Sequence, residues 1–529
     1  MTHTIRFASL FLSSLCAVAV ATAQAPTLPK DRSQGAASVT VEQSKKWLHH
    51  LAGPELAGRG TGQPGFQLAA DYVRDHFKAI GLEPGANGEW FQVMPWTSRE
   101  PVADATSVTF VRGKDEIVVP GTRMQGTANQ SLSATGDVVI VPFTDAESFE
   151  DIAVEGKVVV AVLPAPGEVP KGQLARMGGS MRMQFQIMRA LQGKNPAAVV
   201  LAQREPVTGA LMGSSGPGAG NPAARGRGRT PGALTFGKED LDALLKLAGL
   251  TEVPAAGGKA LDIKATLEVK VEEKQAPACN VVGILKGSDP KLAAEYVVIG
   301  SHLDHLGREN GAVYPGADDD GSGTTGVLAV SQMFAKNGER PARSILFVCF
   351  CGEEKGLLGS RYFADNLPIP VESIVAELQM DMIGRDEEEN SEGDKGELAE
   401  NNRNTVHLIG TKQLAPALHD LCMQRNEIAG FDIEWDQEGM FSRSDHANFA
   451  RLGIPIAFFF TGLHRDYHQT TDTPDKIHYE KLLRIAQWVY DIGYELGSQK
   501  GRPEIDPELW AKYRGKGRAE PAAPMMPGK

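Results

Sequence analysis

Histidines and carboxylates recur in short blocks of the second half of the chain: His302-Leu-Asp304, Asp318-Asp-Asp320, Glu353-Glu354, Asp381 and Tyr467-His468. Imidazole nitrogens and carboxylate oxygens are donors that a borderline-soft ion such as zinc accepts. Two histidines with three acids suit a pair of divalent ions sharing one carboxylate. Without cations, such a concentration of acids would be costly, because like charges raise one another's pKa. Glu353 and Glu354 are adjacent, so one can face a metal while the other faces an attacking water as general base. Asp304, two residues beyond His302, is placed to accept that ring's N–H. Asp318, Asp319 and Asp320 are all open as the shared ligand on these grounds.

Other residues of chemical interest fit less well. Ser444-Asp445-His446 has the residue types of a serine hydrolase, but three consecutive residues cannot present a relay in line. No G-x-S-x-G elbow precedes them. They are expected to shape a pocket or support the ligands. His305 is open as a group approaching the site or an ordinary polar contact. His49, His50, His76 and His478 lack neighbouring ligands and read as surface or core.

The elements that must position these residues are apolar runs. Strands are predicted at Tyr296–Ser301, Ser344–Phe350, Ser373–Asp381 and Ile454–Phe460, and helices at Ser322–Lys336, Gly356–Asn366 and Glu480–Leu496. Continuous apolar strands alternating with helices predict an α/β fold: a mixed, mostly parallel sheet flanked by helices. Ligands in such folds collect beyond the carboxyl ends of the strands, where the blocks lie. Further helices are predicted at Val41–Leu51 and Gly65–Ile80, the latter ended by Gly81. Between them and this region, residues 102–271 are β-rich, with apolar runs at 137–142, 157–162 and 197–202. The Gly-, Pro- and Arg-rich tract 213–232 reads as a loop.

Taken in order, the blocks Gly-Ser-His-Leu-Asp-His (300–305), Ala-Asp-Asp-Asp-Gly-Ser-Gly (317–323), Cys-Gly-Glu-Glu-Lys-Gly-Leu-Leu-Gly-Ser (351–360), Met-Asp-Met-Ile-Gly (380–384), Ser-Asp-His (444–446) and Tyr-His-Gln-Thr-Thr-Asp-Thr (467–473) resemble the M28 family of zinc aminopeptidases. The resemblance implies a zinc-exopeptidase domain over 39–100 and 275–500. It implies two zinc ions per chain, His302 and Asp381 holding one, Glu354 and His468 the other, with Asp319 bridging and Glu353 as general base. The ions would lower the pKa of water for attack on the first peptide bond of substrates with a free N-terminus. The 102–271 region resembles the protease-associated (PA) insert of some members. A single-zinc glutaminyl cyclase and a carboxypeptidase or dipeptidase share this fold and stand as alternatives.

The remaining sequence sets the context. A chain of 529 residues has room for more than one domain core, and 42% apolar with 23% charged residues is ordinary for a globular protein. A net charge of -12 without a long basic run gives no nucleic-acid footprint. Residues 1–23 read as a signal peptide: Arg6, an apolar stretch from Phe7 to Val20, then Ala21-Thr22-Ala23. A secreted or periplasmic protein, without a membrane anchor after cleavage, is expected. Cys16 leaves with that peptide. Cys349 and Cys351 are expected as buried, unpaired thiols. The acidic stretch 386–400 is expected to leave from the rim of the site, and the tail 501–529 is expected to be disordered.

Overall fold

The computed structural model describes residues 28–128, 130–144, 146–164, 183, 186–187, 189–217, 234–309, 312–388 and 400–514. The proposed signal peptide, most of the Gly/Pro/Arg tract and residues 389–399 of the acidic stretch lie outside them. The tract begins as structure rather than loop, since Ser214–Pro217 is a strand paired antiparallel with Trp96–Arg99.

The peptidase-like part is built, in chain order, from α1 (Val41–Leu51), α2 (Pro64–Ile80), β1 (Cys279–Leu285), β2 (Tyr296–His302), α3 (Gly321–Lys336), β3 (Ser344–Phe350), α4 (Leu358–Asp365), β4 (Ile374–Met380), β5 (Thr405–Ile409), β6 (Asp432–Glu434), α5 (His446–Arg451), β7 (Ile456–Phe460) and α6 (Tyr479–Ser498). The sheet runs β1-β3-β2-β4-β7-β5-β6. Strands β3, β2, β4 and β7 are mutually parallel, while β1 and β5 pair antiparallel with their neighbours. The sheet is therefore mixed and mostly parallel, as the unbroken apolar runs imply.

Every residue of β3, β4 and β7 is buried, because helices cover both faces. Phe347 faces one layer, its ring near Phe77 of α2 and Phe334 of α3. Phe350, three residues on and so on the opposite face, meets Phe363 of α4 and Phe449 of α5. Helix α3 lies deep between α6 and the sheet, and it starts where Asp320 accepts the Gly323 N–H at 2.8 Å. Helix α1 begins with a capping box between Thr40 and Gln43.

Residues 102–271 build a separate nine-stranded sheet whose apolar clusters share no residue with the peptidase core. The three apolar runs read from sequence are neighbouring parallel strands at its centre, Leu132–Pro142, Val158–Val162 and Ala198–Ala202. The remaining cysteines, Cys279, Cys349, Cys351 and Cys422, are buried and free. The tail corrects the expectation of disorder from residue 501: Pro507–Arg514 is a helix and Trp510 packs into the main core. Trp510, set among charged neighbours, supplies the anchor that composition concealed. Among the described residues, no helix is long and apolar enough to cross a membrane.

Candidate active site

The carboxyl ends of β2, β3 and β4, with the loop after β7, bring the predicted residues together. His302 ends β2, Asp381 follows β4, Glu353 and Glu354 follow β3, and His468 lies in the loop beyond β7. The His302 Nε2 is 3.3 Å from Asp319 Oδ1 and 3.5 Å from Asp381 Oδ1. On the other side, His468 Nε2 is 3.0 Å from Asp319 Oδ2 and 3.2 Å from Glu354 Oε2. Asp319 thus presents one oxygen to each cluster. Ligand bonds of about 2.0–2.2 Å in tetrahedral array put donor atoms roughly 3.4 Å apart. The two groups have that spacing, and their nitrogen and oxygen donors fit zinc.

The acidic triplet divides its work by the backbone amides each member meets. Asp320 accepts from the His302, Gly323 and Met382 N–H groups at 2.8–3.1 Å. Asp318 accepts from Gly384 N–H at 2.7 Å and lies 3.1 Å from His464 Nε2. Asp319 alone turns toward the two histidines. Asp472 holds the triplet from behind, accepting the Asp318 and Asp319 N–H groups at 3.0–3.2 Å.

Asp304 takes a different part from the one expected. The His302 Nδ1 meets the Asp304 backbone carbonyl at 2.9 Å, whereas the carboxylate is 4.0 Å away. The carbonyl fixes the Nδ1–H tautomer and leaves Nε2 as donor. The Asp304 carboxylate instead accepts the Glu353 N–H at 3.2 Å and so positions that residue. A chain that turns immediately after β2 brings its own carbonyl to the ring before a side chain can reach it.

His305 belongs to the site. It is fully buried, its Nδ1 is 2.7 Å from Glu354 Oε1 and 3.6 Å from Asp319 Oδ2, and it packs edge-on to His468. Arg59 was not legible in the sequence as part of the site. It is fully buried and donates to the carbonyls of Leu51, Leu303, Pro315 and Gly316 at 2.7–2.9 Å, joining the loops on both sides of the ligands. No motif flags it, since its partners are all backbone. Met382 and His468, both at the site, hold φ near +55°. Non-glycine residues keep such backbones where surroundings enforce them.

Electrostatics divide the carboxylates. Burial opposes charge on every group here, so the neighbours decide. His305, His302 and His468 hold Asp319 well below the ordinary carboxylate range, and His305 and His468 hold Glu354 at about 2. Burial raises Glu353 well above its usual value, with Glu354, Asp445 and Asp381 adding to the rise. Against burial, Asp319 and Glu354 raise His468 to about 10. Asp319 and Glu354 are thus held low beside the imidazoles, while Glu353 is held high. Pairs of acids pushed apart in this way mark ligand and acid–base roles.

Glu353 Oε2 lies 4.0 Å from His302 Nε2. It borders a cavity of about 30 Å³, which also touches His302, Asp319 and Asp381 and holds a water-sized group. The opposite wall is formed by Met382, Met440, Phe458, Phe460, Leu463 and Tyr467, with Arg443 beside them. Ser444 hydrogen-bonds Asp381, and Gln379 Nε2 donates to Ser444 at 3.3 Å. His446 is buried against Phe458 with ring centroids 4.5 Å apart. Ser444 therefore supports Asp381 and His446 the pocket wall, and no relay is formed. The first acids of the 386–400 stretch are engaged: Asp386 pairs with Lys481 at 2.7 Å and Glu388 with Arg385 at 3.1 Å.

A mostly parallel α/β sheet thus carries two His/carboxylate clusters that share one aspartate and could each hold a metal ion. Residues 280–492 match Peptidase family M28, and the domain that they build belongs to that family. A probable leucine aminopeptidase of Arthroderma otae is 29% identical over 256 residues, covering 47% of this chain and 64% of that protein. The leupeptin-inactivating enzyme 1 of Streptomyces exfoliatus is 29% identical over 202 residues, covering 38% of this chain and 39% of that protein. The chain spans 39–64% of the length of such curated relatives. Among solved structures, a zinc aminopeptidase from Bacillus subtilis matches with TM-score 0.54 and 18% identity, covering 89% of this chain and 98% of that one. An aminopeptidase from Aneurinibacillus sp. strain AM-1 gives 0.50 and 20%, covering 90% and 98%. The fold is shared with both.

Proposed function

We propose that this chain is an exported two-zinc aminopeptidase that removes N-terminal residues from peptides. The single observation that carries the reading is the position of Asp319, with one oxygen toward His302 and Asp381 and the other toward His468 and Glu354. One shared carboxylate between two donor sets favours two ions over the single zinc of a cyclase. His302, Asp319 and Asp381 would hold one ion, and Asp319, Glu354 and His468 the other. Bound zinc supplies Lewis acidity toward water and the scissile carbonyl.

The chain's own groups do the rest. Glu353, at the edge of the water-sized cavity, takes the proton of the attacking water and returns it to the leaving amine. Its raised pKa suits both steps. The carboxylates around the cavity favour a cationic free N-terminus. The apolar lining from Met382, Met440, Phe458, Phe460 and Leu463 favours an apolar N-terminal residue at the edge of this cavity, in keeping with the leucine aminopeptidases among its relatives. Residues 1–23 as a signal peptide and 102–271 as a PA-type insert complete the reading.

A panel of aminoacyl fluorogenic substrates, assayed before and after chelation and zinc restoration, tests it. The expected result is chelator-sensitive release, strongest for leucyl and similar substrates. Cyclisation of N-terminal glutamine, or zinc content that saturates at one ion near Asp319, would overturn it. Sequencing the N-terminus of exported material tests cleavage after Ala23.

A further inference from the structure

We propose that His407, Glu387 and Glu434 form a third divalent-cation site, distinct from the clusters around Asp319. His407 lies on β5 directly across from Glu434 on β6, and so on the same face of the sheet. Glu387 reaches it from the loop after β4. The His407 Nε2 is 3.3 Å from Glu387 Oε2 and 4.0 Å from Glu434 Oε2, and the three donor atoms lie within 4.8 Å of one another. Those separations bracket the roughly 3.4 Å expected of donors around one ion.

The independent observation is the imidazole itself. His407 is completely buried and neither of its ring nitrogens makes a hydrogen bond. An inward-facing imidazole without a partner is costly unless something binds it. Asp436 Oδ1 lies 3.3 Å from the other nitrogen, Nδ1. Three carboxylates thus surround one ring. A dication on Nε2 offsets two charges and leaves Nδ1–H facing Asp436, the usual arrangement of a metal-bound histidine with a carboxylate behind it. One nitrogen and two carboxylates suit zinc or manganese, whereas calcium takes oxygen donors. Glu434 is partly exposed, so solvent can deliver the ion and fill the remaining coordination position.

The location gives the ion a mechanical role. His407 packs on Phe460, a wall of the cavity beside Glu353, with ring centroids 5.8 Å apart. Gln437 donates to Glu387 Oε1 at 3.0 Å, tying in the segment that carries Met440. An ion here clips the loop after β4 to the sheet edge behind the pocket.

The test is anomalous scattering from crystals of the full-length protein grown with zinc and, separately, with manganese. The expected result is a peak within bonding distance of His407 Nε2 in at least one of them. Crystals with peaks only around Asp319, or with no peak beside His407, overturn the proposal. In solution, Glu434→Gln should bind one ion per chain fewer than wild type and lose part of the metal-dependent rise in Tm. Equal metal counts in the two proteins count against the site. The difference between them is independent of how many ions Asp319 shares, so failure here is distinguishable from failure of the two-zinc reading.

Discussion

Replacing Glu353 by Gln isolates the proton-transfer step. The backbone N–H of residue 353 stays on Asp304, and the side chain keeps its size against the cavity. Only the charge and the proton acceptor are lost. General bases contribute about 10²–10⁴ in rate, so kcat should fall by at least about 10², or about 2.7 kcal/mol. Glu353 is in neither donor set around Asp319, so zinc content should be unchanged. Stability moves the other way. Burial raises the folded pKa of Glu353 above its model-compound value of 4.5. The folded state then holds a proton that the unfolded chain releases, and the stability this provides is lost as pH rises through the folded value. Glutamine removes that loss, so the metal-free variant should melt above wild type at neutral pH. Steady-state kinetics, elemental analysis and thermal melts give the three readings. A rate near wild type refutes the base assignment, and loss of zinc refutes the separation of base from ligands.

Other substitutions probe the shell around it. His305→Ala should weaken the ion held by Glu354 and His468 by about 10–100-fold, the usual cost of losing a ligand's support, with chelator competition as the readout. Asp472→Asn removes the charged acceptor behind Asp318 and Asp319 and should lower zinc affinity over the same range, measured in the same way. His446→Phe tests acid stability, because burial lowers this histidine to about 3. Between that value and about 6.5 the unfolded chain binds the extra proton, so wild type should lose about 2 kcal/mol more than the variant between pH 7.5 and 5 in urea titrations. Equal losses would show that the ring is charged in the fold. Met440→Trp narrows the apolar wall and should shift kcat/KM from leucyl toward alanyl substrates.

The residues of the two clusters were legible because β2, β3 and β4 are unbroken apolar runs, and a parallel sheet buried on both faces leaves its polar residues at the strand ends. The choice of Asp319 over its neighbours was not legible from residue type. Asp318, Asp319 and Asp320 are chemically identical and differ only in which amides they meet, among them Met382 and Gly384 from a distant strand end. Asp472 and Arg59 escaped for the same reason, since their partners are backbone groups far along the chain. His305 was left open because its role depends on Glu354, which approaches from the end of another strand. In the 102–271 sheet the central strands were visible as valine-rich runs. Its edge, such as Ser107–Arg112 beside Asp115–Pro120, alternates with polar residues and gave a weaker signal.

The hydrogen bonds of Arg59 also set a timetable for synthesis. Its partners Leu303 and Gly316 lie 244 and 257 residues downstream, beyond the whole second sheet. At about 5–20 residues per second, a ribosome needs roughly 13–50 s to make that stretch. Throughout that interval Arg59 waits for the carbonyls it will hold. Loop closure costs free energy that grows with the length of flexible chain enclosed. An early-folding second sheet would shorten that effective length, drawing its own two ends together through the ribbon of Trp96–Pro101 and Val271–Gln275. Folding of that sheet would then assist closure of a site whose cluster residues, among those described, all lie outside it.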